Sequence, residues 1–285
     1  MSHEKRHAKP TPLLGKQQAK AWLMVVTLCV MGWLMGSLTG CASPPFERQT
    51  LVPLGVTSPQ QVLGNLGRGM PTRLVTDDTV VIKAPFRDEL AVLSVVKIDR
   101  LAVSLELMGM SHTGVKLFHV AYEDGKPVIR YAAPPLVEQK QVLESLATDS
   151  WHIYFDLLPE LEAWQKTSWD DMTFKRKTEQ GNLTYTVARI AENKDAPPRT
   201  VLIEKKLSTW TGTKWRVRYY HYQQQTKADS QGDADASISE NAISEASDAR
   251  DASHLKLHPA GIVLENKKYH YRIVVKNRKW RELSQ

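Results

Sequence analysis

Cysteine is scarce in this sequence, with two among 285 residues. Cys29 lies inside an uncharged run and Cys41 shortly after it, so a disulfide framework or a cysteine-built zinc site is excluded on numbers alone. No Gly-x-Ser-x-Gly elbow and no glycine-rich phosphate loop occur, which removes the sequence signatures of a serine hydrolase and of a nucleotide-binding enzyme. Acid pairs are few. Asp77-Asp78 and Asp170-Asp171 stand where turns between strands are expected, and a glycosidase-type pair would need a polar cleft that the sequence does not announce. Long apolar runs are also rare, and the longest is Ala21 to Ser37 (AWLMVVTLCVMGWLMGS).

That run has a defined context. Lys5, Arg6, Lys9, Lys16 and Lys20 precede it against the single acid Glu4, and Leu38-Thr39-Gly40-Cys41 follows. A basic stretch, an apolar stretch and a small-residue cleavage site form a secretory signal. The Leu-Thr-Gly-Cys ending resembles the bacterial lipobox. A thiol is soft enough to take a diacylglyceryl group as a thioether, small residues admit a peptidase to the backbone, and Leu38 fills an apolar subsite. The competing reading is an uncleaved anchor, and seventeen residues lie at the bottom of the spanning range. The expectation is therefore removal of residues 1–40 and acylation of Cys41, which leaves no free thiol, in a compartment that would permit disulfides. In enterobacterial sorting an Asp directly after the lipidated cysteine favours the inner membrane. Here Ala42 and Ser43 follow, so the expected location is the outer membrane, facing the periplasm.

Cleavage changes the charge argument. The whole chain is formally +7, and residues 1–40 hold five bases and one acid, so the remainder is +3. The high isoelectric point is partly a property of the leader and argues little for a nucleic-acid partner.

About 245 residues then remain, enough for one domain with its own core. Residues 41–70 are rich in proline and glycine and suit a tether. From residue 71 to 285 the dominant period is two. Leu101, Val103, Leu105 and Leu107 alternate with Ala102, Ser104 and Glu106, and the same pattern runs through Leu183–Val187, Trp215–Tyr219 and Tyr269–Val275. Such alternation means strands with one face on a core. Further strands are expected near 79–84, 115–122, 126–131, 172–178, 200–207 and 255–264, and Leu90–Ile98, apolar on both faces, reads as a central strand. Between them Val142, Leu143, Leu146 and Ala147 recur at helical spacing. Trp151–Trp164 is strongly apolar, with Pro159 placed for the first turn of a short helix. Residues 226–253 hold seven acids, two bases and no aromatic residue. Such a segment cannot bury enough apolar surface to order itself, and reads as a disordered loop inserted in a hairpin.

The runs SLELMGMSHTGVKLFHVAYEDGKPV, HIYFDLLPELEAW and HLKLHPAGIVLENKKYHYRIVV, with the helical stretch between the first two, resemble a family of bacterial outer-membrane lipoproteins of undefined function. Similarity covers roughly residues 70–276 without the acidic insertion. That family is in turn similar to the LolA/LolB lipoprotein carriers. The resemblance implies a mainly β fold, an incomplete antiparallel β-barrel with a short helical lid over an apolar cavity. It also implies delivery or docking of a lipid-like or lipoprotein cargo. Leu105, Leu107, Val217 and Tyr271 would line the hollow, and Leu143, Leu146, Trp151 and Leu158 would belong to the lid at its mouth. The loop Met108–Gly114 matches a protruding carrier loop, with Met108 or Met110 as its membrane-contact residue.

The remaining constellations read as structure. His254 and His258 have the i,i+4 spacing that binds metal on a helix, but on a strand they lie on the order of 13 Å apart, so no metal and no cofactor is expected. Lys214, Arg216 and Arg218 with Tyr220 and Tyr222 make a basic aromatic strand face, echoed by Lys268, His270, Arg272 and Lys276. On a cytosolic sheet that would suggest RNA. At a periplasmic address it reads as a solvated face, or one that meets anionic headgroups. Two functions follow, both without catalysis: a lipid-binding half-barrel, or an assembly lipoprotein that recruits proteins through its sheet edges and acidic loop. A hollow interior favours the first and a filled one the second.

Overall fold

The computed structural model describes residues 45–47, 49–83, 89–191, 197–224 and 256–283. The leader, Cys41, His254 and the acidic segment 226–253 lie outside the described residues. In chain order the elements are β1 (Leu51–Val52), α1 (Pro59–Arg68), β2 (Arg73–Lys83), β3 (Leu90–Asp99), β4 (Ser104–Met110), β5 (Lys116–Glu123), β6 (Lys126–Ala132), α2 (Pro134–Val137) and α3 (Lys140–Tyr154). Then follow β7 (Trp164–Thr167), β8 (Asp171–Thr178), β9 (Gly181–Ile190), β10 (Arg199–Thr209), β11 (Gly212–Gln224), β12 (Leu257–Asn266) and β13 (Tyr271–Glu282).

The strands form one antiparallel sheet in the order β6-β5-β4-β3-β2-β13-β12-β11-β10-β9-β8-β7, with β1 added beside β9. Two up-and-down runs, β2–β6 and β7–β13, meet where β2 pairs with β13. Among the described residues strands β6 and β7 are the two free ends, so the sheet stays open, and the segment that carries α2 and α3 links them along the chain. This is the incomplete antiparallel barrel expected from the sequence.

Alternation sets which side chains enter the core. Leu74, Val80, Val92, Val96, Ile98, Leu105, Leu107 and Val120 point inward from one half, and Leu183, Tyr185, Val187, Leu207, Trp215, Val217, Ile262, Leu264 and Ile273 from the other. The helices fill the space against them, α1 with Val62 and Leu66 and α3 with Leu143, Leu146, Ala147, Ile153 and Tyr154.

Five expectations need correction. Asp77-Asp78 is not a turn but lies in the middle of β2, where Asp78 is buried. The tether reading fails for 59–68, which form α1. Pro59 opens that helix, the Ser58 hydroxyl accepts from the Gln61 amide at 3.3 Å, and the Gln61 side chain accepts from the Ser58 amide at 3.0 Å. This reciprocal cap, with two core residues one turn apart, outweighs the cost of Gly64 and Gly67. The strand read from Leu101 starts only at Ser104, because the Asp99 carboxylate accepts from the Leu101 and Ala102 amides at 3.0 Å each and folds 100–103 into a turn. No helix begins at Pro159: α3 itself runs to Tyr154, and 155–163 is irregular. Met108 and Met110 are not in a loop but on β4. The Phe118 ring lies across Gly109, where an added Cβ would come within 2.3 Å of it, and this cross-strand contact carries the pairing out to Met110.

Candidate functional site

The sequence-predicted residues do not gather around a hollow. Leu105, Leu107, Val217, Leu143 and Leu146 are buried in a common core, and Tyr271 packs against it. Trp151 is wedged between Tyr122, at 5.5 Å between ring centres, and Phe155, at 5.9 Å. Leu158 is exposed beside Gly67 of α1. The void between the ends of α1 and α3, lined by Leu66, Ile153, Tyr219 and Ile262, measures only about 40 Å³. Exposed apolar hairpin residues occur instead at Leu101 and Val103, in the turn between β3 and β4. Val103 has φ of 50°, a strained value for a β-branched side chain.

Space opens on the other flank of α3. A cleft of about 670 Å³ separates that flank from the inner sheet. Gln141, Glu144, Ser145, Thr148, Asp149 and His152 recur every three or four residues along α3 and line one wall. Leu207, Trp215 and Asn266 contribute from β10, β11 and β12, with Lys214, Lys268 and Tyr269 also lining it. This polar stripe was visible in the sequence as the face of α3 opposite Leu143, Leu146 and Ala147. What periodicity hides is that the stripe faces the sheet.

Buried polar groups hold that wall in place. Lys205, with no exposed surface, donates to the carbonyls of Phe155 at 2.8 Å and His152 at 3.3 Å. Tyr219 donates to the Ile153 carbonyl at 2.8 Å and Arg100 to that of Tyr154 at 3.2 Å. The C-terminal carbonyls of a helix lack partners within it and carry partial negative charge. Here three side chains, Lys205 and Tyr219 from the sheet and Arg100 from the turn after β3, satisfy four of them. Three rings surround the Lys205 ammonium, those of Trp151, Tyr185 and Trp215 at 5.6–5.9 Å. Desolvation nevertheless lowers Lys205 to about 8, against the partial compensation of Asp156. It also lowers Arg100 to about 10.

Two carboxyl groups tie α3 further along. Asp149 accepts from the Asn266 amide at 2.9 and 3.2 Å and from the Tyr271 hydroxyl. The Tyr154 hydroxyl donates to Asp78 at 3.3 Å, and Asp78 also accepts from Thr76 at 2.7 Å and Asn277 at 3.0 Å. Burial raises both acids to about 7, outweighing those hydrogen bonds. His152 stacks on Trp215 at 4.4 Å and is lowered to about 3, by burial first and by Lys205 second. Among the described residues no cluster of three or more His, Cys, Asp or Glu side chains is arranged to hold a metal.

No protein-family model and no curated protein matches the chain. Solved structures do. A LolA superfamily protein from Nitrosomonas europaea matches 80% of this chain and 95% of its own at 9% identity, with a TM-score of 0.40. The likeness is one of fold. A domain described as an outer membrane lipoprotein-sorting protein, from Vibrio parahaemolyticus, matches over 78% and 89% at 6% identity and a TM-score of 0.32. A DUF1329 family protein from Desulfovibrio piger matches over 76% and 90% at 6% identity and a TM-score of 0.29.

Proposed function

We propose that the chain is a non-catalytic lipoprotein, anchored by acyl chains on Cys41 at the outer membrane and facing the periplasm, that binds a lipid-like cargo in the cleft beside α3. The cleft carries this reading. Its volume lies within the range of small-molecule sites, and it combines an apolar floor at Leu207 and Trp215 with polar groups along one wall. The cargo class and the address rest on the Leu-Thr-Gly-Cys site and the sequence resemblance. Acidic and neutral groups in the cleft are engaged in holding α3, which suits binding more than turnover. Binding of a fluorescent fatty-acid probe by the full chain, abolished by Thr148→Trp on the cleft wall, is the expected result. A variant that binds as well as wild type would place the probe elsewhere and overturn the reading.

A second reading is favoured by the filled interior. With Leu105, Leu107 and Val217 packed against α3, the apolar face is covered by the chain's own residues. The chain would then act as an assembly lipoprotein, through the free edges of β6 and β7. Failure of the full chain to bind any apolar probe would promote it.

A further inference from the structure

Resting on that reading, we infer that the ligand of the cleft is an anionic amphiphile, its acidic head held at Lys214 and Lys268 and its apolar body over Leu207 and Trp215. The cations carry the argument. The other two bases of β11 have carboxylate partners: Arg216 and Arg218 share Glu204, and Arg218 also reaches Glu265. Lys214 and Lys268 have none among the described residues. The Lys214 ammonium donates only to the Gln180 carbonyl, at 3.0 Å, and that of Lys268 lies over the Tyr269 ring at 4.8 Å. Both line the cleft, and β11 brings them together, since Trp215 pairs with Asn266 and the Lys267 amide bonds the Lys214 carbonyl at 2.8 Å.

The acids on the same walls do not neutralise this pair. Glu144 is engaged by Lys140 at 3.6 Å, and Asp149 lies deep, bound to Asn266 and Tyr271. An entering anion thus meets two ammonium groups that have no carboxylate partner among the described residues, and a charge-assisted hydrogen bond from either is stronger than one between neutral groups. An apolar floor in the same cleft as the lysines favours a molecule with both parts joined. A free inorganic anion would leave Leu207 and Trp215 unused, and an uncharged lipid would leave the lysines unpaired.

The test uses the full chain, acylated and held in phosphatidylcholine nanodiscs, with protein-free discs as the blank. Dansylaminoundecanoate and its uncharged primary amide are titrated side by side by fluorescence. The acid is expected to bind at least tenfold more tightly than the amide. Lys214→Glu with Lys268→Glu should remove that preference by weakening the acid far more than the amide, and Lys214→Gln with Lys268→Gln, a milder change, should reduce it. Thr148→Trp should block both probes. Equal binding of acid and amide, unaffected by the lysine variants but blocked at Thr148, would overturn the charge assignment and leave the cleft reading standing. Binding of neither probe would overturn both.

Discussion

Lys205 has no exposed surface and shares the parity of Leu207, on a strand whose inward side is core. In the sequence Glu204-Lys205-Lys206 looks like solvated charge, yet period two places the middle lysine inside. Its task is to supply donors to the C-terminus of α3 that the chain does not supply locally. Lys205→Met, which keeps the volume and removes the donors, leaves the buried carbonyls of His152 and Phe155 unpartnered. Each costs about 1–3 kcal/mol, so urea titration should show a loss of several kcal/mol. Buried acids and histidines act in opposite directions with pH. Asp78 and Asp149 rise from 3.8 to about 7, so each binds a proton in the folded state that the unfolded chain has lost, and stability falls as pH rises across that window. His152 and His258 drop from 6.5 to about 3, so the unfolded chain holds the extra proton and stability rises with pH between those values. From about pH 4 to 6.5 the two pairs cancel, and wild-type stability should be nearly flat there. Asp78→Asn with Asp149→Asn removes one side of the balance. The variant should then gain up to about 1.4 kcal/mol per pH unit for each histidine. A variant as flat as wild type across that range would sink this account.

At the scale of elements, legibility depended on whether local chemistry and alternation pointed the same way. In β11 they did: Trp215, Val217 and Tyr219 are buried on the inner side, as the pattern predicts. The pattern breaks after His221, which has φ of 50°, and Tyr222 too packs against the core. In α1 the helix signals are Ser58, Pro59 and Gln61, set among glycines and prolines whose composition alone points to a tether. Ser58→Ala should cost about 1 kcal/mol, the usual worth of such a cap. Leu66→Ala, in the core face of the same helix, should cost about 2–5 kcal/mol. The two are measured by thermal or urea unfolding, and a neutral Leu66→Ala would mean α1 is not part of the cooperative unit. The cleft was harder to foresee. Its floor comes from strands more than fifty residues beyond α3, and whether a polar helix stripe faces water or a sheet is decided by strand order alone.

At the scale of the molecule, the order of strands explains why a long acidic insertion is tolerated where it is. β11 and β12 are adjacent and antiparallel, and pairing continues to Gln224 opposite Leu257. The hairpin is therefore complete up to the residues from which the insertion departs, with Tyr222 opposite Pro259 and Tyr220 opposite Gly261 just inside. Phe46 reinforces this end from outside, its ring 5.3 Å from that of Tyr220 and so close to Gly261 that a side chain there would collide. None of these contacts requires residues 225–256. Loop closure costs about 0.6 kcal/mol per doubling of length, so exchanging those 32 residues for a four-residue turn removes three doublings. The expected gain is roughly 1.8 kcal/mol, and in a domain of this size each kcal/mol raises Tm by about 2–4 °C. The shortened chain should thus melt a few degrees above wild type, with binding of the fatty-acid probe unchanged, because no residue lining the cleft lies in the exchanged segment. A fall in Tm of more than about 5 °C, by calorimetry, would instead show that the acidic segment packs against the sheet and contributes to its stability.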